Sequence, residues 1–567
     1  MDIAGSHNLR LKCEILLNIV LARIRQLFQI TVIDLECFPY SVGHENDGVC
    51  LLLRMGPHHI LLDCGLRDIS PLLTSSQASI ADLVICSHAH ADHVRGLLAL
   101  HESCPELPIY ASDVTSQLLP INWPEELSSG QMPKFCQPLP LRTEVRLKEG
   151  LSITLFPAGH LPGATCMLLK YNAPNRTYKL FYTGDFFLSN SRLVEGLPLG
   201  ELRGLKPDVL ILEGSYGTAR YPHRRQLENQ LAERIYRAIA SGYSVLIPTP
   251  ALGLGQELLM LLRSHHYFTG RDIDIWVDGQ VQTGCDIYLE LLPHFPANIQ
   301  NFAQHQPLFW DERIKPRVRR LSPELLPELE QSPCIVIVDD ETDIEQYLRY
   351  RPRLWTLFLS ETPGHTREIS TLVNSGEILL ESYFLAEHCD GPGTTQLIHN
   401  LRPQHVIFVH GSPIYLADLT NLDELRNRYQ LHYPAAGAQV PLPIGETFLQ
   451  PTLPETHYQG ELTESATELN ITLPNALSVD PRWSTFADTG IVEARWQGEE
   501  LVLRGISQRE FLSSQSDRTM PSDLDCCGNC QYYRSGRCWN PVSALYGFKV
   551  TPEGYCPVFE PLAPRDQ

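Results

Sequence analysis

Three histidines and one aspartate occupy six consecutive residues of this chain, His88-Ala89-His90-Ala91-Asp92-His93. They follow the apolar run Ala81-Asp82-Leu83-Val84-Ile85-Cys86, whose pattern predicts a buried β-strand about to end. A strand that stops there delivers polar side chains into a loop at the edge of a sheet. His88 and His90, two apart, face one way if the extended geometry continues, while Asp92 and His93 come round onto the start of a helix. Imidazole and carboxylate together suit zinc, and four such ligands exceed what one open catalytic ion uses. Two metal ions side by side are the natural reading.

The H-x-H-x-D-H spacing resembles the metallo-β-lactamase superfamily, and the rest of that family's ligand set has counterparts here in the same order. Ile60-Leu61-Leu62-Asp63-Cys64-Gly65 supplies an upstream Asp63 in a strand-end turn. Pro157-Ala158-Gly159-His160-Leu161-Pro162-Gly163 supplies His160 in a glycine-flanked loop. Leu180-Phe181-Tyr182-Thr183-Gly184-Asp185 supplies a bridging aspartate, and Val406-Ile407-Phe408-Val409-His410-Gly411 a strand-terminal histidine. The resemblance implies His88, His90 and His160 on one zinc, and Asp92, His93 and His410 on the other. Asp185 and a hydroxide would bridge them, with Asp63 behind the ligands. Paired zinc ions lower the pKa of a shared water toward neutrality and stabilise the charge that builds on a substrate oxygen. Such a centre attracts an anion although the formal charge of the chain is −21, because bound ions are the largest local charges.

Asp185 and His410 stand 225 positions apart (410 − 185), far more than a plain core needs. Within that gap the pattern predicts strands at 207–213, 243–248, 273–278 and 334–338. Helices are predicted at 224–239, with Leu227, Leu231, Ile235 and Ile239 on one face, and at 256–262. Strands alternating with helices predict a parallel sheet of its own, hence an inserted domain. The arrangement resembles the β-CASP branch of the superfamily, whose members process RNA or, less often, DNA. Glu213-Gly214-Ser215-Tyr216-Gly217 matches the branch's strand-end acid followed by Ser/Thr-Tyr-Gly, and Ala386-Glu387-His388-Cys389-Asp390 its S/A-x-H-x-D setting. The resemblance implies that His388 protonates the leaving oxygen and that Glu213 orients it, so Asp92, Glu213 and His388 form the expected catalytic set. General acid work of this type needs an imidazole held by a carboxylate.

Two positions depart from the branch's pattern. Its G-R-x-Q-E turn reads Gly253-Leu254-Gly255-Gln256-Glu257, without the arginine. Its small-residue turn after a later cap strand reads Val338-Asp339-Asp340-Glu341-Thr342, where acids would repel a polyanion unless they face elsewhere. Basic residues that could serve instead run through Arg313, Lys315, Arg317, Arg319 and Arg320, through Arg349, Arg351 and Arg353 beside Tyr350 and Trp355, and through His223-Arg224-Arg225. Each run also reads as a solvated surface.

At 567 residues and 43% hydrophobic content the chain predicts several domains with proper cores, and no apolar run reaches membrane-spanning length. Residues 1–30 read as an N-terminal helix rather than a secretory signal. Eleven of the sixteen cysteines are scattered singly, as reduced thiols in a cytoplasm would be. The others cluster: Cys527, Cys530, Cys538 and Cys556, with Cys526 to spare, suit a zinc or an iron–sulfur cluster equally. Val492-Glu493-Ala494-Arg495-Trp496 and Leu501-Val502-Leu503-Arg504 around Gly498 predict a hairpin.

The expected architecture is therefore an α/β protein. A metallo-β-lactamase αββα sandwich (31–205 and 381–440) carries an inserted β-CASP-like cap at 206–380. A small β accessory region follows at 441–520 and a Cys-rich metal module at 521–567. The expected function is a cytoplasmic two-zinc phosphodiesterase or ribonuclease acting on RNA, or on single-stranded DNA, through a metal-bound hydroxide. Two other readings stay open: a nucleic-acid-binding or scaffold protein with reduced cleavage, and a hydrolase for a smaller ester or thioester.

Overall fold

A computed structural model describes residues 35–44, 48–73, 80–348, 354–361 and 378–445. Beyond these it describes short pieces at 456–457, 461–464, 469–472, 492–497, 500–505, 529–534, 537–541 and 560–561. The chain divides into two compact units, residues 1–448 and 449–567. The expected N-terminal helix, Arg349, Tyr350, Arg351, Arg353, Cys526, Cys527 and Cys556 lie outside the described residues.

The larger unit begins with β1 (Leu35–Val42), β2 (Val49–Met55), β3 (His58–Leu62), β4 (Leu83–Ile85), β5 (Ile109–Ser112) and β6 (Cys136–Leu139). A second run follows with β7 (Val145–Lys148), β8 (Leu151–Pro157), β9 (Thr165–Asn172), β10 (Thr177–Tyr182) and β11 (Val209–Glu213). The insertion then supplies β12 (Ser244–Thr249), β13 (Asp274–Val277), β14 (Arg317–Arg320), β15 (Ile335–Asp339), β16 (Trp355–Ser360) and β17 (Ile378–Tyr383). The chain returns through β18 (His405–Val409), β19 (Gln430–His432) and β20 (Val440–Pro441).

Two seven-stranded sheets result, ordered β20-β1-β2-β3-β4-β5-β6 and β19-β18-β11-β10-β9-β8-β7. Period-2 alternation packs them face to face. Leu51, Leu53, Ile60, Leu62 and Ile85 of the first sheet meet Ile153, Leu155, Met167, Leu169, Leu180, Tyr182, Ile211, Ile407 and Val409 of the second in one apolar cluster. The alternate residues, such as Phe181, Leu210, Leu212, Val406 and Phe408, turn outward and are buried in a separate cluster on the opposite side. Strands apolar on both faces are thus covered on both faces.

The insertion has its own sheet, β14-β13-β15-β12-β16-β17, in which all strand pairings among the described residues are parallel. The helices Arg224–Ala240 and Leu254–Ser264 match the predicted ones within a turn at each end. Both ends of the expected cap need correcting: β17 runs to Tyr383 within the cap sheet, past the expected end at 380. Val209–Glu213, expected at the start of the cap, lies in the second core sheet, parallel to both β10 and β18. Its unbroken apolar run suits a central strand as well as a cap strand, so pattern alone could not assign it. In the smaller unit, Val492–Gln497 and Glu500–Gly505 pair antiparallel, as the hairpin pattern predicts.

Candidate metal centre

Every ligand predicted for the paired-zinc centre comes to one end of the paired sheets, just past a strand. β3 ends one residue before Asp63, which takes a left-handed φ of 57°, and β4 ends two residues before Ser87. His88 follows, then His90, and the one-turn helix Ala91–Val94 brings round Asp92 and His93. His160 lies between β8 and β9, Asp185 follows β10, and His410 follows β18 with a φ of 50°. The Ala91–Val94 helix can sit this close to the β3 turn only because of Gly65. A Cβ there would stand 1.7 Å from the Asp92 carbonyl oxygen.

The side chains form the two groups that the resemblance implies, and a third group, Asp185, Glu213, His388 and His410, shares Asp185 with one and His410 with the other. Ligand-type atoms of His88, His90, His160 and Asp185 lie within 4.8 Å of one another, and so do those of Asp92, His93 and His410. The Asp185 carboxylate stands between them. Its Oδ2 lies 3.5 Å from His88 Nε2 and 3.8 Å from His160 Nε2, and its Oδ1 lies 3.4 Å from His93 Nε2. Asp92 Oδ2 is 3.1 Å from His410 Nε2.

Each imidazole has one nitrogen engaged from behind, which fixes what the other can do. His93 Nδ1 donates to Asp63 Oδ2 at 2.8 Å, and His88 Nδ1 donates to Ser87 Oγ at 3.0 Å. His160 Nδ1 donates to the Glu387 carbonyl at 3.0 Å, and His410 Nδ1 to Ser215 Oγ at 2.9 Å. His88, His93 and His160 therefore present Nε2 to the centre, whereas His410 turns Nε2 to Asp92 and keeps Nδ1 3.3 Å from Asp185 Oδ1. His90 is turned the other way: its Nε2 donates to the Leu252 carbonyl of the cap at 3.3 Å, leaving Nδ1 inward. Asp63 anchors the set, fully buried, accepting also from Ser87 N, Ser87 Oγ and Tyr182 Oη at 2.6, 2.8 and 2.6 Å.

The inward atoms fit metal. His88 Nε2, His93 Nε2 and Asp185 Oδ1 are buried without any hydrogen-bond partner, an arrangement that is costly unless a cation completes it. Burial holds His88, His90 and His160 below the usual imidazole range, so they stay neutral, as ligands must. Burial opposes ionisation of Asp185, but the facing histidines win and keep its carboxyl well below the usual range.

Glu213, at the end of β11, is 2% exposed. Its Oε1 accepts from Phe186 N at 2.9 Å and from His388 Nδ1 at 3.0 Å, and its Oε2 takes the Ser215 hydroxyl. One carboxylate thus orients His388 directly and His410 through Ser215. Burial alone would lower the His388 pKa; the Glu213 charge and hydrogen bond override it and push it up to about 10. Sequence reasoning did not assign roles to Ser87, Tyr182, Ser215 or the two carbonyls. Ser215 was visible as the Ser of the Ser-Tyr-Gly turn, whereas a backbone carbonyl has no sequence signal.

The cap departures have structural counterparts. Leu254 is 1% exposed and packs in the core. The neighbouring Glu257 binds Ser191 Oγ, Arg192 N and Leu193 N, each at 2.8 Å. Asp339 does face elsewhere: it is buried and accepts from Gln280 N at 2.8 Å, at the head of the helix Gln280–Glu290. The basic residues are largely spent within the fold. Arg317 pairs with Asp272 and Asp274, Lys315 with Asp272, Arg319 with Glu328, and Arg320 with Asp286. Arg224 is buried against Glu257, Glu228 and the Ala386 carbonyl, so it is a strut between cap and core and no free phosphate ligand.

Residues 58–247 match the family described as the Beta-lactamase superfamily domain. An uncharacterized protein of Synechocystis sp. (strain ATCC 27184 / PCC 6803 / Kazusa) is 49% identical over 547 residues, 94% of this chain and 97% of that protein. An RNase J-like protein of Methanocaldococcus jannaschii is 26% identical over 51% of this chain and 67% of its own length. An Integrator complex subunit 11 homolog of Dictyostelium discoideum is 24% identical over 72% of this chain and 61% of its own. The donor set is that of a metal-dependent hydrolase, and the chain belongs to the β-CASP branch of the metallo-β-lactamase superfamily.

Proposed function

We propose that this protein is a two-zinc phosphodiesterase that cleaves RNA. The observation that carries the reading is the pairing of a seven-residue donor set with a carboxylate-held imidazole beside it. His88, His90 and His160 would hold one ion and Asp92, His93 and His410 the other, with Asp185 shared between them. Bound there, a cation pair supplies an activated water and a positive field for phosphate oxygens.

The chain's own residues do the rest. His388 carries a proton at neutral pH, because Glu213 holds its charged form, and gives it to the leaving oxygen as the phosphodiester bond breaks. Glu213 keeps that ring aimed and, through Ser215, sets the tautomer of His410. Tyr216 packs edge-on to His388 with ring centroids 5.3 Å apart and limits the ring's rotation. The names of the relatives, an RNase J-like protein and an Integrator subunit 11 homolog, favour RNA over a small ester.

In the smaller unit, Cys530 and Cys538 are buried free thiols, and Cys538 lies on a strand pair. With Cys527 and Cys556 we assign them to a second metal module, zinc or iron–sulfur, which a visible spectrum distinguishes by colour. Among the described residues no helix is long and apolar enough to cross a membrane. The scattered free thiols suit a cytoplasmic setting.

Incubating the full chain with labelled single-stranded RNA, with zinc or with chelator, tests the function. Chelator-sensitive cutting is the expected result. Binding without cutting would move the protein to the scaffold class, and turnover of a small ester alone would move it to the third reading.

A further inference from the structure

The metal centre is closed on one side and open on the other. The side chains of His88, His93 and Asp185 are 1–2% exposed, whereas Asp92 is 39% exposed and His410 15%. Solvent reaches the centre from the Asp92 side. Arg95 stands three residues after Asp92, capping the same one-turn helix, so the two side chains share a face. Its Nη1 is buried without a partner, and among the described residues its guanidinium forms no ion pair.

A second arginine, Arg67, acts on it as a like charge. Gly96 N donates to the Cys64 carbonyl at 2.9 Å, and a Cβ on Gly96 would lie 2.9 Å from the Leu66 carbonyl and 3.0 Å from Ile69. This packing holds the 64–69 loop, which carries the exposed Arg67, against the helix, and the Arg67 charge reaches and repels that of Arg95. The acids that act on Arg95 are Asp92 and, from the cap turn, the exposed Glu341. Two neighbouring guanidinium groups, one with a buried unmatched nitrogen, are unfavourable unless an anion joins them.

We propose that Arg95 and Arg67 form a phosphate-binding pair at the mouth of the metal centre, taking a backbone phosphate next to the scissile one. The assignment rests on the RNA reading. It also accounts for the cap, whose arginine position is a buried leucine and whose basic run is neutralised by its own acids. Guanidinium binds phosphate bidentately where Lys cannot. Glu341, the cap acid whose charge acts on Arg95, would compete with a substrate phosphate for it.

The test is equilibrium binding of a labelled single-stranded RNA dodecamer to zinc-loaded full-length protein carrying His388→Ala, across a salt series. Arg95→Gln should weaken binding about tenfold and reduce the slope of log K against log salt by about 0.7. Arg67→Gln, at an exposed site that tolerates the change, should act in the same direction, and Glu341→Gln should tighten binding. Metal content should stay unchanged throughout. If both arginine variants bind with unaltered slope, or if Arg95→Gln loses its zinc, the pair is no phosphate site although the RNA reading stands. If the His388→Ala protein does not bind RNA and wild type cuts only bis(p-nitrophenyl) phosphate, the RNA reading fails. The pair is then judged on the KM for that ester in Arg95→Gln: raised supports it, unchanged overturns it.

Discussion

Glu213 Oε1 and His388 Nδ1 lie 3.0 Å apart, buried where the return from the cap meets the end of a core strand. The contact joins residues 175 positions apart in sequence, and it decides the protonation state of the one imidazole near the centre that is not assigned to a metal. Burial favours the neutral ring, the carboxylate favours the charged one, and the carboxylate wins.

A general acid must hold its proton, so activity should fall as pH rises through the His388 pKa. In Glu213→Gln the raising charge is gone while the burial remains, and the alkaline limb of kcat should move down by about one to three units. His388→Ala should lower kcat by about 10²- to 10⁴-fold with zinc content intact. An unshifted alkaline limb in Glu213→Gln, measured between pH 6 and 10, would remove Glu213 from this role.

Asp63 touches no assigned metal position, yet it orients His93 directly and His88 through Ser87. Asparagine tolerates the same left-handed backbone but cannot accept through two charged oxygens. Asp63→Asn should therefore weaken zinc retention about 10- to 100-fold. Competition with a chromophoric chelator reads this directly; equal retention would mean that Asp63 serves the fold alone.

The Gly65 contact makes a sharper case, because it involves no donor atom. In Gly65→Ala the new methyl would meet the Asp92 carbonyl, and the Ala91–Val94 helix must move away from β3. Asp92 and His93 move with it, so the second zinc should be lost before the first. Elemental analysis should give about one zinc fewer per chain in the larger unit, with His88, His90, His160 and Asp185 still in place.

The ligand set was legible because its signal is local: each donor sits at the end of an apolar run, where a strand must stop. The cap was legible as an alternation of strands and helices. The assignment of Val209–Glu213 was not, since a central strand of either sheet has the same apolar spelling. Arg224 likewise reads as one of three basic residues in a row; only the fold shows it buried against Glu257 and the Ala386 carbonyl. Arg95 gave no signal at all, because its meaning depends on the loop packed beside it and on the exposure of Asp92.

The opposite end of β18, the strand that leads to His410, carries a pair that titrates without metal. His405 Nε2 donates to the Pro443 carbonyl at 2.9 Å, so its Nδ1 accepts from His432 Nε2 at 3.0 Å, with the rings stacked. Burial first, and His405 second, lower the His432 pKa from 6.5 to about 4. The unfolded chain then binds more protons than the folded one between those values, so stability falls as pH drops from about 6.5 toward 4. His432 is only partly buried and solvent screens part of the effect, so at pH 5 the loss from this group should be below about 2 kcal/mol relative to pH 7. In His432→Gln an amide N–H can keep the hydrogen bond to His405 without titrating, and that part of the acid loss should vanish. Urea unfolding at pH 7 and pH 5, in chelator so that metal release does not contribute, measures the difference. Parallel losses in the two proteins would show that the pair does not set the acid stability of the strand.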